Sequence, residues 1–175
     1  MSGVFWLLGR RGRRRSAGAP NAFDDAMMER AISLAREAAS LGEVPVGAVV
    51  YKTDTGELLC GAHNRRELDN DPSAHAEHIA MRDAARSLGT WRLSGCSVVV
   101  TLEPCAMCAG LAVNSRVDRV VFGASDPKAG ACGSLFRITE DSRLNHRPVT
   151  VGGVRADECG ALLTEFFRAL RTAGE

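Results

Sequence analysis

Three residues that can bind a metal ion lie in two short motifs about 30 residues apart, so the fold must bring distant segments together. His75 begins the run His75-Ala76-Glu77, and Cys105 and Cys108 stand at C-x-x-C spacing after a proline. One imidazole and two thiolates fill three corners of a zinc tetrahedron and leave the fourth corner to a water molecule. Glu77 is then a spare carboxylate that can move the protons of that water. The spacing therefore predicts an open, catalytic zinc site.

Other interpretations of the cysteines and histidines stay open at this point. His75 could be a capping or surface histidine. A closed structural zinc site would need a fourth ligand, which Cys60, Cys96 or Cys132 could supply. Glu77 would have no role in a closed site, which favours the catalytic interpretation. We interpret His78 as a packing or exposed side chain, and we expect the cysteines outside the motif to be reduced and inert.

The first motif is predicted to lie at the start of a helix. Asp71 can cap a helix and Pro72 suits a first turn, which predicts a helix over 73–88. His75 and Glu77 would then lie in its first turns.

The second motif follows a predicted buried strand. The apolar run 97–102 predicts this strand, and Pro104 is expected to begin a helix over 105–113. Cys105 and Cys108 would share one face of that helix. They would also lie at its N-terminus, where the helix dipole favours the thiolates that a metal needs.

The rest of the chain alternates between helical and strand patterns. The further predicted elements are a helix over 24–41, strands over 46–51 and 57–63 joined by a turn at 53–56, strands over 117–123 and 149–152, and a helix over 155–171. This order predicts an α/β fold, a three-layer α/β/α sandwich with a mixed five-stranded sheet. A chain of 175 residues with 45% hydrophobic content can bury one such core.

Residues 1–20 differ from the remainder in charge. They hold five arginines and no acid, which leaves the remainder with a net charge of −4 although the whole chain carries +1. We predict that 1–20 is a disordered extension, dispensable for the chemistry, and that 21–175 is one zinc-dependent domain. A transit peptide, a nucleic-acid-contacting arm and an overextended start are alternatives for the extension. No run approaches the 18 or so apolar residues of a membrane span.

Motifs spread over 23–171 resemble those of the bacterial tRNA-specific adenosine deaminases. The similar segments are 42–49, 63–65, 101–110, 120–124, 126–128, 133–135, 145–147 and 157–159. The H-x-E and P-C-x-x-C pair is also typical of zinc-dependent nucleobase deaminases. The resemblance implies a cytidine deaminase-like fold, one zinc per chain, a cytoplasmic homodimer and a tRNA anticodon stem-loop as the partner. The small and apolar residues of 108–112 would suit close subunit packing.

The resemblance further implies hydrolytic deamination of adenosine to inosine at the wobble position of the anticodon. Glu77 would take a proton from a zinc-activated water that attacks C6 of adenine, and would return protons to the ring nitrogen and the leaving amine. Val46, Asn64, Ala76 and the turn 103–105 would form the pocket. A deaminase of a free base or nucleoside, such as cytosine or guanine, is the alternative enzyme. A zinc-stabilised RNA-binding subunit without turnover is the alternative from another class.

Contacts with the anticodon loop are assigned by the resemblance to residues away from the zinc motifs. They are Asp126, Lys128, Asn145, His146, Phe166, Phe167 and Arg168. From the residues alone, the polar members are ordinary loop residues, one of the phenylalanines could belong to the core, and Asn64 could be a turn residue. Because the global charge is small, an RNA-binding surface would have to be a local patch.

Overall fold

Nine regular elements and one short 3-10 turn make up the part of the chain that the computed structural model describes, residues 18–173. They are α1 (Asp24–Ser40), β1 (Gly47–Lys52), β2 (Leu58–His63), α2 (Ala76–Ser87), β3 (Cys96–Leu102), α3 (Ala106–Ser115), β4 (Arg119–Ala124), the 3-10 turn Ile138–Glu140, β5 (Val149–Gly152) and α4 (Ala156–Ala173). All nine helices and strands predicted from the sequence are present. The 3-10 turn was not predicted.

The five strands form one mixed sheet in the order β2-β1-β3-β4-β5. Strand β1 is antiparallel to both of its neighbours, whereas β3, β4 and β5 run parallel. A row of valines crosses the sheet, because Val49 pairs with Val99, Val99 with Val121, and Val121 with Val151. Such β-branched residues suit strands that are covered on both faces. The prediction of a mixed five-stranded sheet is confirmed.

Helices cover both faces of this sheet. Val50, Val98 and Val100 face the side that holds α2 and α3, and they pack with buried residues of those helices. Val49 and Val99 face the other side, which packs against α1 and the start of α4. Because side chains alternate between faces along a strand, the two hydrophobic layers use alternate residues of the same strands. The three-layer α/β/α sandwich is confirmed.

Close contact between α1 and β1 depends on a glycine at the start of the strand. A Cβ atom on Gly47 would lie 2.1 Å from the carbonyl oxygen of Ala31, so any other residue would push the helix away. The Gly47 amide also donates to Thr101 Oγ1 at 3.2 Å, which ties the start of β1 to the end of β3. This junction lies at the end of the sheet where the zinc motifs follow.

Helix α2 begins later than predicted. Asp71 accepts hydrogen bonds from the backbone amide and hydroxyl of Ser73, at 2.7 and 2.8 Å. This local Asx turn uses the side chain that was expected to cap the helix. Residues 72–75 therefore stay outside the helix, and His75, with ψ of 146°, is its N-cap residue. The prediction that the helix spans 73–88 was wrong at its start.

The N-terminal extension stays a prediction. Residues 1–17 lie outside the described part of the chain. Gly18 is the first described residue, and its amide donates to the carbonyl of Thr150 in β5 at 3.0 Å. Within the described residues, no helix has both the length and the apolar character that a membrane crossing requires.

Candidate active site

The three predicted metal ligands meet in one cluster. His75 Nδ1 lies 3.6 Å from Cys105 Sγ and 3.8 Å from Cys108 Sγ. A tetrahedral zinc ion with bonds of about 2.0–2.1 Å to nitrogen and 2.3 Å to sulfur separates those atoms by about 3.6 Å. The cluster therefore has the dimensions of a zinc site. Among the described residues it contains no fourth histidine, cysteine or carboxylate, which fits an open site.

Two helix N-termini converge on this cluster. His75 precedes α2 and Cys105 precedes α3, and both have extended backbone conformations, with ψ of 146° and 175°. Cys108 lies one turn into α3, as the C-x-x-C spacing predicts, and is buried. Pro104 lies outside the helix rather than in its first turn, because the N-cap is Cys105. The positive ends of both helix dipoles favour thiolates and a nearby carboxylate.

The two cysteine thiols shift each other's pKa in opposite directions. The hydrogen bond from Cys108 holds the pKa of Cys105 at about 3, well below its ordinary value. The same pairing, together with burial, raises the pKa of Cys108. The pKa of His75 is raised by its hydrogen bond with Cys105. A zinc ion is what allows both cysteines to be thiolates at once, so zinc affinity must fall as protons compete at low pH.

Glu77 lies in the first turn of α2, close to the cluster but outside it. Its side chain is only 5% exposed, and this burial raises the pKa of its carboxyl group. A carboxyl group whose pKa is raised toward neutrality can both accept and release a proton during a reaction. The structure therefore supports a proton-transfer role for Glu77 and does not make it a ligand.

Asn64 and Val46 lie next to the segment that carries His75. The backbone amide of Asn64 donates to the Val46 carbonyl at 2.9 Å, and the backbone amide of Arg65 donates to the Ala74 carbonyl at 3.0 Å. Ala76 is fully buried directly after the ligand His75. Ala76 is therefore adjacent to a metal ligand, and Val46 and Asn64 lie next to the segment that leads to it, whereas their role in a pocket stays a prediction.

A buried carboxylate in the predicted pocket turn 103–105 fixes a neighbouring loop, which is a role that the sequence analysis did not predict. Glu103 accepts hydrogen bonds from the backbone amides of Asp126 at 3.1 Å, Cys132 at 3.0 Å and Ser134 at 2.9 Å, and from the Ser134 hydroxyl. A Cβ atom on Gly130 would lie 2.5 Å from this carboxylate, so the loop requires glycine there. An acidic residue between an apolar strand and a proline was the available signal.

This loop, residues 126–134, is joined directly to the turn before the cysteine motif. Gly130 pairs with Cys105 in a β-bridge, and the Ala131 amide donates to Pro104 at 2.8 Å. Two of the predicted RNA-contacting residues lie on it. Lys128 is exposed, whereas Asp126 accepts hydrogen bonds from backbone amides of its own loop. The structure therefore places this loop next to the metal site, whereas contacts of Asp126 and Lys128 with RNA stay predictions.

Asn145 and His146 lie at the opposite end of α3 from the cysteines. Arg116, the C-cap residue of α3, donates to Asn145 Oδ1 at 2.6 Å. His146 Nε2 hydrogen-bonds the Val117 carbonyl at 2.7 Å. A helix of ten residues is about 15 Å long, so this pair is separated from the zinc ligands by roughly that distance.

Phe166, Phe167 and Arg168 lie on the outer part of α4. The two aromatic rings make an edge-to-face contact with centroids 5.4 Å apart. Phe166 is half-buried, and Phe167 is 43% exposed, so neither belongs to the buried core of the described residues. Arg168 is exposed. Their roles in RNA binding stay predictions.

The alternative zinc ligands are not in the cluster. Cys60 is half-buried, and the buried cysteines outside the cluster are Cys96, Cys132 and Cys159. His78 is half-buried on α2 and is not a member either. A closed structural zinc site is therefore not what the described residues form.

Comparison with known proteins agrees with this geometry. Residues 21–124 match the family model of the cytidine and deoxycytidylate deaminase zinc-binding region. The chain is 49% identical over 148 residues to the tRNA-specific adenosine deaminase of Bacillus subtilis, and the alignment covers 85% of this chain and 91% of that protein. The chain belongs to the tRNA-specific adenosine deaminase family. The family predicted from the sequence motifs is confirmed, and with it a zinc-dependent deaminase.

Solved structures separate this family from its more distant neighbours. A structure of a deaminase that performs A-to-I editing at the wobble position of transfer RNA is 38% identical, with a TM-score of 0.75, and the match covers 79% of this chain and 99% of that chain. The guanine deaminase of Bacillus subtilis is 34% identical, with a TM-score of 0.57, and the match covers 63% of this chain and 69% of that chain. The cytidine deaminase-like fold is therefore shared with guanine deaminases, and the tRNA editing enzyme is the more similar of the two in sequence, at 38% against 34% identity.

Proposed function

We propose that this deaminase converts adenosine to inosine at the wobble position of a tRNA anticodon. The observation that carries the proposal is the buried Glu77 carboxylate beside the cluster of His75, Cys105 and Cys108. A zinc site of purely structural purpose gives no reason to bury a carboxylate there. The choice of RNA as the substrate is supported by the relative named for tRNA, whose alignment covers 91% of its own length.

The residues of the site divide the chemical work. His75, Cys105 and Cys108 would hold zinc, which when bound would supply a water of lowered pKa. Glu77, whose pKa is raised by burial, would accept a proton from that water and deliver protons to the ring nitrogen and to the departing amine. Its burial keeps bulk water from competing for the proton. The water oxygen would bond to C6 of adenine as the bond between C6 and the amine breaks, so that ammonia leaves and inosine remains.

The substrate base has to leave its stack to reach this site. An unpaired anticodon nucleotide does so at lower cost than a base in a duplex. Val46, Asn64 and Ala76 would line the pocket that receives it. Lys128 on the 126–134 loop and Phe167 with Arg168 on α4 offer exposed cationic and aromatic groups for the rest of the loop. Such groups bind phosphates and stack on unpaired bases.

Deamination of a free base on the same zinc site is the second candidate. It is favoured by the likeness to the guanine deaminase fold. Sequence identity, however, favours the tRNA enzymes, because the chain is 49% identical to a tRNA-specific adenosine deaminase over 85% of its length and 34% identical to the guanine deaminase. An enzyme for a free base would also have no use for an exposed aromatic and cationic surface at the outer end of α4.

We also propose a homodimer, with a changed account of its interface. The small and apolar residues of 108–112 were expected to pack between subunits. Cys108, Ala109 and Ala112 are buried within their own chain, whereas Gly110 and Leu111 are half-buried and remain available for such packing. Further exposed apolar side chains lie nearby. They are Met107, Leu135 and Phe136, at 39%, 52% and 56% exposure. Leu135 and Phe136 both donate through their amides to Gly130, the β-bridge partner of Cys105, which places them near the start of α3.

Sedimentation tests this interface. A homodimer at micromolar concentration is expected, and Phe136→Glu should convert it to a monomer while Leu41→Glu, at the exposed leucine that follows α1, should not. A wild-type chain that sediments only as a monomer would contradict the proposal.

We place the enzyme in the cytoplasm with its tRNA substrate, in keeping with six cysteines that form no disulfide. Cell fractionation checks this placement.

The proposed reaction is tested by mass analysis of RNA after incubation. An anticodon stem-loop with adenosine at the wobble position should gain inosine, with a mass increase of about one unit as an amine is replaced by oxygen. A matched stem-loop with guanosine at that position should remain unchanged. No inosine formation by zinc-loaded wild-type protein would contradict the proposal.

A further inference from the structure

A second buried carboxylate, outside the zinc motifs, holds the side chain of Asn64. Glu43 is fully buried in the segment between α1 and β1. Its Oε1 accepts from the backbone amide of Leu68 at 2.8 Å, and its Oε2 accepts from Asn64 Nδ2 at 2.8 Å. The carboxylate therefore bridges the loop after β2 to the pocket residue that neighbours the His75 segment. Sequence reasoning gave Glu43 no role.

The bridge determines which way the Asn64 amide faces. A carboxylate accepts hydrogen bonds on both oxygens and donates none, so the nitrogen of Asn64, and not its oxygen, must point toward Glu43. Among the described residues, no group donates to Asn64 Oδ1. Within the described residues, Arg119 Nε is the buried side-chain nitrogen or oxygen that lacks a hydrogen-bond partner. Asn64 Oδ1 also lacks a partner there but is not among such buried atoms, so it is accessible to solvent or to a ligand. Asn64 is thus held with an oxygen acceptor and one N–H free for a ligand.

A side-chain amide in a fixed orientation distinguishes base edges. An asparagine pairs with adenine by accepting from the exocyclic amine and donating to N7. The same amide turned by 180° would present a donor where the amine donates and an acceptor where N7 accepts. A site that is built for one hydrogen-bond pattern rejects a ligand with the wrong pattern strongly, because buried polar groups are then left unpaired.

We propose that Glu43 is a positioning residue that locks the amide of Asn64 in the orientation required to bind the target adenine. This inference rests on the proposed function, because it takes adenosine as the substrate. It adds a specificity determinant that lies one hydrogen bond away from the pocket. Glu43 itself touches neither the base nor the zinc ligands.

The variant Glu43→Gln should reverse the orientation of the Asn64 side-chain amide with little change in the shape of residue 43. The Leu68 amide can only donate, so the glutamine oxygen must stay at the Oε1 position. The glutamine nitrogen then occupies the Oε2 position and faces Asn64 as a donor. Asn64 satisfies it only by turning its amide, which exchanges donor and acceptor in the pocket. The fold keeps both hydrogen bonds, whereas the pattern offered to the substrate is inverted.

A double-mutant cycle on the zinc-loaded protein tests this inference. The measured quantity is kcat/KM on the adenosine stem-loop for wild type, Glu43→Gln, Asn64→Ala and the double variant. We expect Glu43→Gln to lower kcat/KM by at least about tenfold in the wild-type background, which is 1.4 kcal/mol. In the Asn64→Ala background it should change kcat/KM less than about twofold. Zinc content and melting temperature should stay close to those of the matched parent.

A matched control comes from Glu103, another buried carboxylate that supports the site. Glu103→Gln also alters a carboxylate that binds backbone amides, but Glu103 makes no contact with Asn64. Its effect should therefore be the same with and without Asn64→Ala. If Glu43→Gln and Asn64→Ala lower kcat/KM independently, or if either alone has no effect, Glu43 does not act through Asn64. A wild-type protein that does not turn over the stem-loop would instead contradict the proposed function, and this inference with it.

Discussion

Replacing Glu103 by glutamine tests whether one buried carboxylate holds the loop 126–134 against the zinc site. The substitution keeps the size of the side chain and one oxygen acceptor. The Cys132 and Ser134 amides, which both donate to Oε1, can keep that acceptor. The new Nε2 group would then face the Asp126 amide, which now donates to Oε2 at 3.1 Å, so two donors would oppose each other.

The expected loss of stability follows from these contacts. Leaving the Asp126 amide unpaired costs about 1–3 kcal/mol, and each of the two amide bonds to Oε1 weakens by about 1 kcal/mol when the acceptor loses its charge. The Ser134 hydroxyl, which now donates to Oε2, can rotate and accept from the new amide instead. Part of this is offset because a neutral amide is easier to bury than a carboxylate. We expect a net loss of about 3 kcal/mol in the free energy of unfolding. For a chain of this length that corresponds to a fall of about 6–12 °C in melting temperature.

The assay is thermal unfolding of the zinc-loaded protein, with Glu57→Gln as the control. Glu57 forms an exposed ion pair with Lys52, so its replacement should leave the melting temperature close to that of wild type. Hydrogen bonds from Ser134, Asp126 and Cys132 outweigh burial and hold the pKa of Glu103 below its ordinary value. The advantage of wild type over Glu103→Gln should therefore be present above about pH 4.3, the unfolded value, and be lost as the pH falls below it. Equal melting temperatures of the two proteins at pH 7 would refute this reasoning.

Two further predictions separate metal binding, proton transfer and RNA binding. Glu77→Ala should retain about one zinc per chain and lose deamination, whereas Cys108→Ser should lose both the zinc and the activity. Elemental analysis measures the zinc, and the inosine assay measures the activity. A metal-free Glu77→Ala protein would contradict the role of Glu77. Lys128→Ala and Arg168→Ala should each raise KM for the stem-loop, more strongly at low salt, with zinc content unchanged; a KM that does not respond to salt or to either variant would remove these residues from the RNA surface.

Local sequence patterns were sufficient to predict the architecture. The valine-rich run of β3, the prolines near the helix starts and the turn between β1 and β2 indicate elements whose bounds differ from the observed ones by a few residues. The largest error, at the start of α2, arose because Asp71 bonds to Ser73 in a turn instead of capping the helix. Competition between two uses of one short polar side chain is decided by the fold around it, which sequence spacing does not describe.

Part of the candidate site could be predicted from the sequence and part could not. His75, Cys105, Cys108 and Glu77 could be predicted, because metal chemistry demands particular residue types at particular spacings. Their supporting residues could not. Hydrogen-bond acceptors for backbone amides can come from many residue types anywhere in the chain, so the supporting carboxylates Glu43 and Glu103 carried no sequence signal of comparable strength.

The choice of substrate is the central claim, and comparison of kcat/KM across substrates tests it most directly. The zinc-loaded protein would be assayed on an anticodon stem-loop with adenosine at the wobble position, and on free adenosine, guanine and cytosine under the same conditions. We predict that turnover of the stem-loop exceeds that of every free compound by at least about a hundredfold, or 2.7 kcal/mol. Turnover of any free base that equals or exceeds that of the stem-loop would contradict the assignment and identify a free-base deaminase.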